Sequence, residues 1–125
     1  EQYFGSWEGK VVDTLREHPE FKQLIKDPAN YKAQVNGGET FEQLGERAMK
    51  ALHDIIKIHD QGNILIVSHG HTLRLLLALL NGATWQNHRD EDKSVSLINT
   101  SISVVHYDDE NGFCVEKIND ADHLK

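Results

Sequence analysis

The 125 residues read as an α/β domain with a mostly parallel central sheet. Three features predict it. A helix-period stretch covers 41–59. A short, largely β-branched run at 64–67, "ILIV", gives way within a few residues to a leucine-rich run at 72–80. An alternating stretch ending at Tyr107 is followed by a turn and a returning strand. Helix, buried strand, tight turn and buried helix, in that order, make half of an α/β unit.

Residues 1–38 are polar and broken by Gly5, Gly9, Pro19, Pro28, Gly37 and Gly38. Loop is expected there, with one or two short helices at "VVDTLREH" and "EFKQLIKD". In the helix over 41–59, Phe41, Leu44, Ala48, Leu52 and Ile55 recur at three- and four-residue spacing, and charged residues fall mostly elsewhere. Thr40 is a good N-cap and Gln43 completes a capping box. Gly45 costs that helix about 1 kcal/mol relative to Ala, which points to close packing at that position. "HDQGN" ends it. The run 64–67 fits a strand covered on both faces, as in a parallel sheet. Residues 72–80 carry only Arg74 as a charge, and Asn81-Gly82 supply a stop. Residues 84–94, "TWQNHRDEDKS", give no clear signal. "SLINTSISVVHY" alternates through Ile98, Thr100, Ile102 and Val104, "DDENG" turns, and "FCVEKI" returns as the second strand of a hairpin toward one edge of the sheet.

Composition bounds the function. Apolar residues make up 38% and charged residues 26%, a globular rather than a disordered balance. The net charge of −7 argues against nucleic acid or an anionic membrane as the main partner. Cys114 is the only cysteine, so no internal disulfide is possible and a reducing, cytoplasmic setting is the expectation. No stretch has the length of a membrane span, and "EQYFGSWEGK" does not read as a signal peptide. The lack of an initiator Met suggests a portion of a longer protein.

The chemistry concentrates at Ser68-His69-Gly70-His71, the seam between the two apolar runs. In open α/β sheets, ligands bind where a strand hands over to a helix, and His69 stands there. Gly70 allows a sharp turn or a close approach to a ligand. The N-terminus of the following helix favours an anion, and a histidine beside it suits phosphate chemistry. A capping or packing histidine stays open on this local argument. No GxxxxGK[ST] or GxGxxG occurs, and Ile66 breaks a nucleophile elbow around Ser68. A metallohydrolase is the rival reading: His69 and His71 have a spacing that metals use, and Asp120, Asp122 and His123 could complete a site. A helix N-terminus repels cations, so neither a metal nor another cofactor is expected.

Four segments together resemble the histidine phosphatase superfamily, with its phosphoglycerate mutase-like fold: "EQYFGSWEG", "GGETFEQLGER", "IVSHGHTLR" and "INDADHL". They span nearly the whole chain in the family's order. The resemblance implies a three-layer sandwich around a mostly parallel sheet, of which residues 1–125 form the C-terminal part of a single catalytic domain. It implies hydrolysis of phosphate monoesters through a phosphohistidine intermediate, on a small phosphorylated substrate. His69 corresponds to the family's second histidine and Glu1 to its general acid. Gly70 and His71 fall at substrate-binding positions, whereas Glu39, Arg47 and Trp7 suit structural roles. Arg74 is expected to satisfy a buried carbonyl or carboxylate. The family's N-terminal Arg-His-Gly, which carries the nucleophile, does not occur here. "FGSWEG" is more similar to the phosphatase-like branch than to the glycolytic mutases. A mutase-type phosphotransferase and a non-catalytic binding module are the alternatives. The resemblance leaves substrate identity and oligomeric state open.

Overall fold

In the computed structural model, which describes residues 1–125, the capping box at Thr40 forms as the sequence predicts. The Gln43 backbone N–H donates to Thr40 Oγ1 at 3.3 Å, and the Thr40 N–H donates to Gln43 Oε1 at 2.9 Å. Two of the orphan donors of a helix start are thereby satisfied. Of the three helices, α1 spans Pro19–Lys26, α2 Phe41–Ile58 and α3 Gly70–Leu80. α1 begins with Pro19 in its first turn, where a missing N–H costs nothing, and the His18 ring nitrogen accepts from the Glu20 N–H at 3.1 Å. Strands β1, Ile102–Asp108, and β2, Gly112–Asp120, pair antiparallel through the predicted turn. Short 3-10 turns cover Gly5–Trp7, Val12–Thr14 and Asp122–Leu124.

The observed class is mixed α/β, but the parallel sheet does not form within these residues. Ile64–Val67 belongs to no strand, and the only ladder is β1 with β2. A strand exists only through a neighbour's hydrogen bonds, and no segment among these residues is laddered to this run. The four residues are correspondingly open to solvent, at 42%, 88%, 42% and 85% exposure. The hairpin also departs from the expected phase. Ile98, Ile102 and Val104 are exposed, whereas Ser103, Val105 and Tyr107 are partly covered. "VVDTLREH" forms only the single turn Val12–Thr14.

The core gathers Trp7, Leu24, Tyr31, Ala33, Phe41, Leu44 and Leu75. Phe41 lies near its centre, fully buried and in ring contact with Tyr31 at 5.8 Å and His88 at 4.8 Å. α3 packs against both α2 and β2. At Gly45 an added Cβ would lie 3.5 Å from Leu79 and 3.7 Å from Leu75, so the two helices do pass closely there. The N-terminal loop is fastened to the segment before α2. Ser6 N–H donates to the Asn36 carbonyl at 2.8 Å and Glu39 N–H to the Tyr3 carbonyl at 2.7 Å. Gly5, at φ +58°, makes this crossing possible: a Cβ there would sit 1.9 Å from the Asn36 carbonyl oxygen.

Candidate active site

The crossing between the N-terminal loop and the segment before α2 delivers Glu1 to the start of α3. Its Oε1 accepts from the Gln2 N–H at 3.0 Å, the Thr72 N–H at 3.0 Å and the Thr72 hydroxyl at 3.1 Å. Its Oε2 accepts from the His71 N–H alone, at 3.2 Å. The anion favoured by this helix end is therefore, first of all, the protein's own carboxylate. Burial works to raise the Glu1 pKa. The backbone N–H groups of Gln2, His71 and Thr72 outweigh it and hold the carboxyl below its ordinary range.

A second layer of contacts fixes Glu1 from behind. Arg47 makes a two-pronged bond to Glu39, Nε to Oε2 at 2.8 Å and Nη2 to Oε1 at 2.9 Å. The same Nη2 donates to the Glu1 carbonyl at 3.2 Å, while Glu39 Oε1 accepts the Tyr3 N–H at 3.2 Å. The Arg47 bond holds the Glu39 carboxyl below its usual range. Both residues position the chain, as expected of them. Trp7 likewise serves as a buried packing anchor, ringed by His18 and Phe21.

His69 is the N-cap residue of α3, extended in backbone and exposed, and its side chain caps nothing. It lies outside the leucine core. Gly70 opens α3. A Cβ there would meet no atom within 4 Å, so nothing among these residues enforces glycine. His71 is half-buried rather than solvent-facing. Its Nδ1 lies 2.9 Å from Gln2 Oε1, and its ring meets Phe4 edge-on at 5.5 Å and stacks toward Phe41 at 6.4 Å. Burial, reinforced by the nearby Arg89 and Arg74 charges against the opposing pull of Glu1, lowers its pKa to about 4. At neutral pH it is an uncharged imidazole.

Sequence reasoning missed the cationic flank of this site, which comes from the unreadable stretch 84–94. Arg89 Nε donates to His88 Nε2 at 3.3 Å, its Nη1 donates to the Ile25 carbonyl at 3.4 Å, and its guanidinium lies over the Phe41 ring. Burial, with help from Arg74, lowers its pKa only to about 10, so it stays charged at neutral pH. Arg74 bonds the Ser94 hydroxyl at 2.6 Å, not the expected carbonyl or carboxylate. Thr72 was the one missed contact with a visible signal, being a hydroxyl in the first turn of a predicted helix. The metal reading gains no donor set: no three His, Cys, Asp or Glu side chains converge anywhere in the chain. His123 instead lies 2.9 Å from the Thr100 carbonyl, and Asp120 accepts the Asp122 N–H.

A family model described as "Histidine phosphatase superfamily (branch 1)" matches residues 1–121. The chain belongs to that superfamily. Among its relatives, a protein of Arabidopsis thaliana named "Metal-independent phosphoserine phosphatase" is 29% identical over 99% of this chain and 49% of its own length. A Salmonella paratyphi B protein named "Probable phosphoglycerate mutase GpmB" is also 29% identical, over 96% of this chain and 56% of its own. A solved structure, "Bacillus stearothermophilus YhfR", superimposes with a TM-score of 0.87 at 28% identity, covering all of this chain and 60% of that one. This histidine phosphatase chain therefore spans about half the length of the curated relatives it matches.

Proposed function

We propose that residues 1–125 are the C-terminal part of the catalytic domain of a metal-independent phosphomonoesterase, contributing His69 and Glu1 to its site. The observation that carries this reading is the seating of the Glu1 carboxylate on the first turn of α3, the helix that His69 caps. Two residue types needed for phosphoryl transfer are thereby held at one helix end, although Glu1 and Thr72 lie 71 positions apart. The superfamily supplies the reaction type.

In the proposed reaction a histidine from the preceding half of the intact domain attacks phosphorus. The N–P bond forms as the P–O bond breaks, and the proton on Glu1 passes to the leaving oxygen. His69 donates a hydrogen bond to the phosphoryl oxygens, with Gly70 and His71 lining the substrate beside it. Water then attacks the phosphohistidine, Glu1 takes its proton, and phosphate leaves. At rest Glu1 is ionised; the charge of an arriving phosphate raises its proton affinity. Oε2, with a single donor, is the oxygen placed to carry the proton. The substrate is a small phosphorylated molecule, and the lone, exposed Cys114 thiol suits a reducing cytoplasm.

Single-turnover kinetics of the intact protein test the acid. Glu1→Gln should slow phosphoenzyme formation from an alkyl phosphate by roughly 100-fold or more, and far less from an aryl phosphate whose leaving group needs no proton. Equal slowing would reduce Glu1 to a positioning residue. His69→Ala should cut both rates by orders of magnitude, a chelator should change neither, and the 125-residue polypeptide alone should turn over negligibly. The GpmB relative, named a probable mutase, motivates a second reading as a phosphotransferase. Adding an alcohol acceptor decides it by showing whether the phosphoenzyme goes to water or to the acceptor.

A further inference from the structure

Gln2 is buried, whereas Tyr3 beside it in the same loop is exposed. Its side chain joins two partners: Nε2 donates to the Glu39 carbonyl at 3.0 Å, and Oε1 lies 2.9 Å from His71 Nδ1. A carbonyl can only accept, so the Glu39 contact decides which end of the amide is nitrogen. The oxygen therefore faces His71, and Nδ1 must carry a proton to meet it. Because the imidazole is uncharged at neutral pH, Nε2 keeps its lone pair.

The backbones of the same two residues hold the Glu1 carboxylate. Gln2 N–H donates to Oε1 at 3.0 Å from the loop, and His71 N–H donates to Oε2 at 3.2 Å from the helix. The three residues close a circuit: Gln2 and His71 each grip one carboxylate oxygen, and their side chains grip each other. A bond between neutral partners suits this place. A second proton on the imidazole would set a cation beside Glu1 and oppose its taking a proton. The charges that face the imidazole are Glu1 from the loop, Arg74 on α3 and Arg89 from 84–94, and both arginines disfavour that proton.

We propose that Gln2 is a positioning residue: its amide holds His71 in the Nδ1–H form and draws together the two backbone donors that seat Glu1. The bearing of this clamp on turnover rests on the role proposed for Glu1 as the acid.

Imidazole nitrogen and carboxyl carbon resonances of the intact protein, labelled at histidine and glutamate, test the clamp apart from turnover. At pH 7 His71 should show a protonated Nδ1 and a bare Nε2. Gln2→Leu, which cannot accept, should move that proton to Nε2 and raise the Glu1 carboxyl pKa as its donors loosen. Gln2→Glu keeps an acceptor and adds a negative charge, so His71 should titrate at higher pH than in the native protein. In single-turnover kinetics Gln2→Leu should slow phosphoenzyme formation from an alkyl phosphate about tenfold, and from an aryl phosphate much less. An Nε2–H form in the native protein, or a Glu1 titration unmoved in folded Gln2→Leu, would overturn the clamp. A raised Glu1 titration with both esters slowed equally would keep the clamp and remove the acid. Should Gln2→Leu not fold, the native Nδ1 proton and the Gln2→Glu titration still decide.

Discussion

His88 is fully buried, and its two ring nitrogens are matched to different partners. Nδ1 lies 2.8 Å from the Trp85 carbonyl, a pairing that requires N–H, while Nε2 receives the Arg89 Nε–H, a pairing that requires a lone pair. Only the neutral imidazole satisfies both, and a proton on Nε2 would face a cation. Burial first, then the charges of Arg89 and Arg74, lowers its pKa to about 4. The unfolded chain binds a proton near 6.5, so between about 4 and 6.5 the unfolded state holds more protons than the folded one. Stability contributed by His88 is therefore complete above that window and lost as pH falls through it, by roughly 3 kcal/mol at the lower end. Urea unfolding at pH 7 and pH 4.5 should show the loss, and His88→Gln should flatten the pH dependence while lowering stability at pH 7. An unchanged slope in that variant would remove His88 as its source. None of this was legible in the sequence, because no periodicity marks a histidine and an arginine inside an irregular segment. The place of His69 at the start of α3 was legible, since it sits at a local seam between two apolar runs. The seating of Glu1 on α3 was not, for its partners are distant in sequence.

At the scale of elements, the sequence spoke clearly wherever local physics decides. α2 and its capping box, α3 and its Asn81-Gly82 stop, and the hairpin turn all follow from spacing and end-group chemistry within a few residues. The run 64–67 failed because strand identity depends on a partner. Two glycines then behave oppositely. At Gly45 a methyl group would meet Leu75 and Leu79 at ordinary contact distance, so Gly45→Ala should raise unfolding stability by about 0.5–1 kcal/mol through helix propensity. At Gly5 the positive φ and the 1.9 Å approach to the Asn36 carbonyl forbid a side chain. Gly5→Ala should cost several kcal/mol and detach Glu1 from α3. Thermal unfolding of the two variants, compared in one protein, checks both signs; a destabilised Gly45→Ala would show that the packing of α2 on α3 outweighs the gain in helix propensity.

For the whole molecule, Ile64–Val67, Ile98, Ile102 and Val104 leave apolar side chains open to water. Single exposed apolar residues are ordinary, but consecutive ones whose backbone also lacks ladder partners form a surface that seeks cover. The curated relatives are about twice as long as this chain, and on the reading proposed above the rest of such a domain is the natural cover. The 125-residue polypeptide should therefore self-associate in sedimentation velocity and protect the 64–67 amides poorly from hydrogen exchange. A longer chain containing the preceding half should be free of both traits. A monodisperse short chain with protected 64–67 amides would contradict this reading. No helix is long and apolar enough to cross a membrane, so a membrane-spanning helix does not account for this surface.

The bond from Glu1 to the Thr72 amide closes a loop of 71 residues. Bringing two such distant points together carries an entropic cost on the order of 4 kcal/mol, and the return is a handful of hydrogen bonds at one helix end. Docking of the N-terminal loop therefore waits on the collapse of α1, α2 and α3, which brings its landing place into being. While the chain is still searching, the first turn of α3 lacks the Glu1 carboxylate. On the proposed reading, in which Glu1 is the acid, chemical competence arrives only at the end of folding.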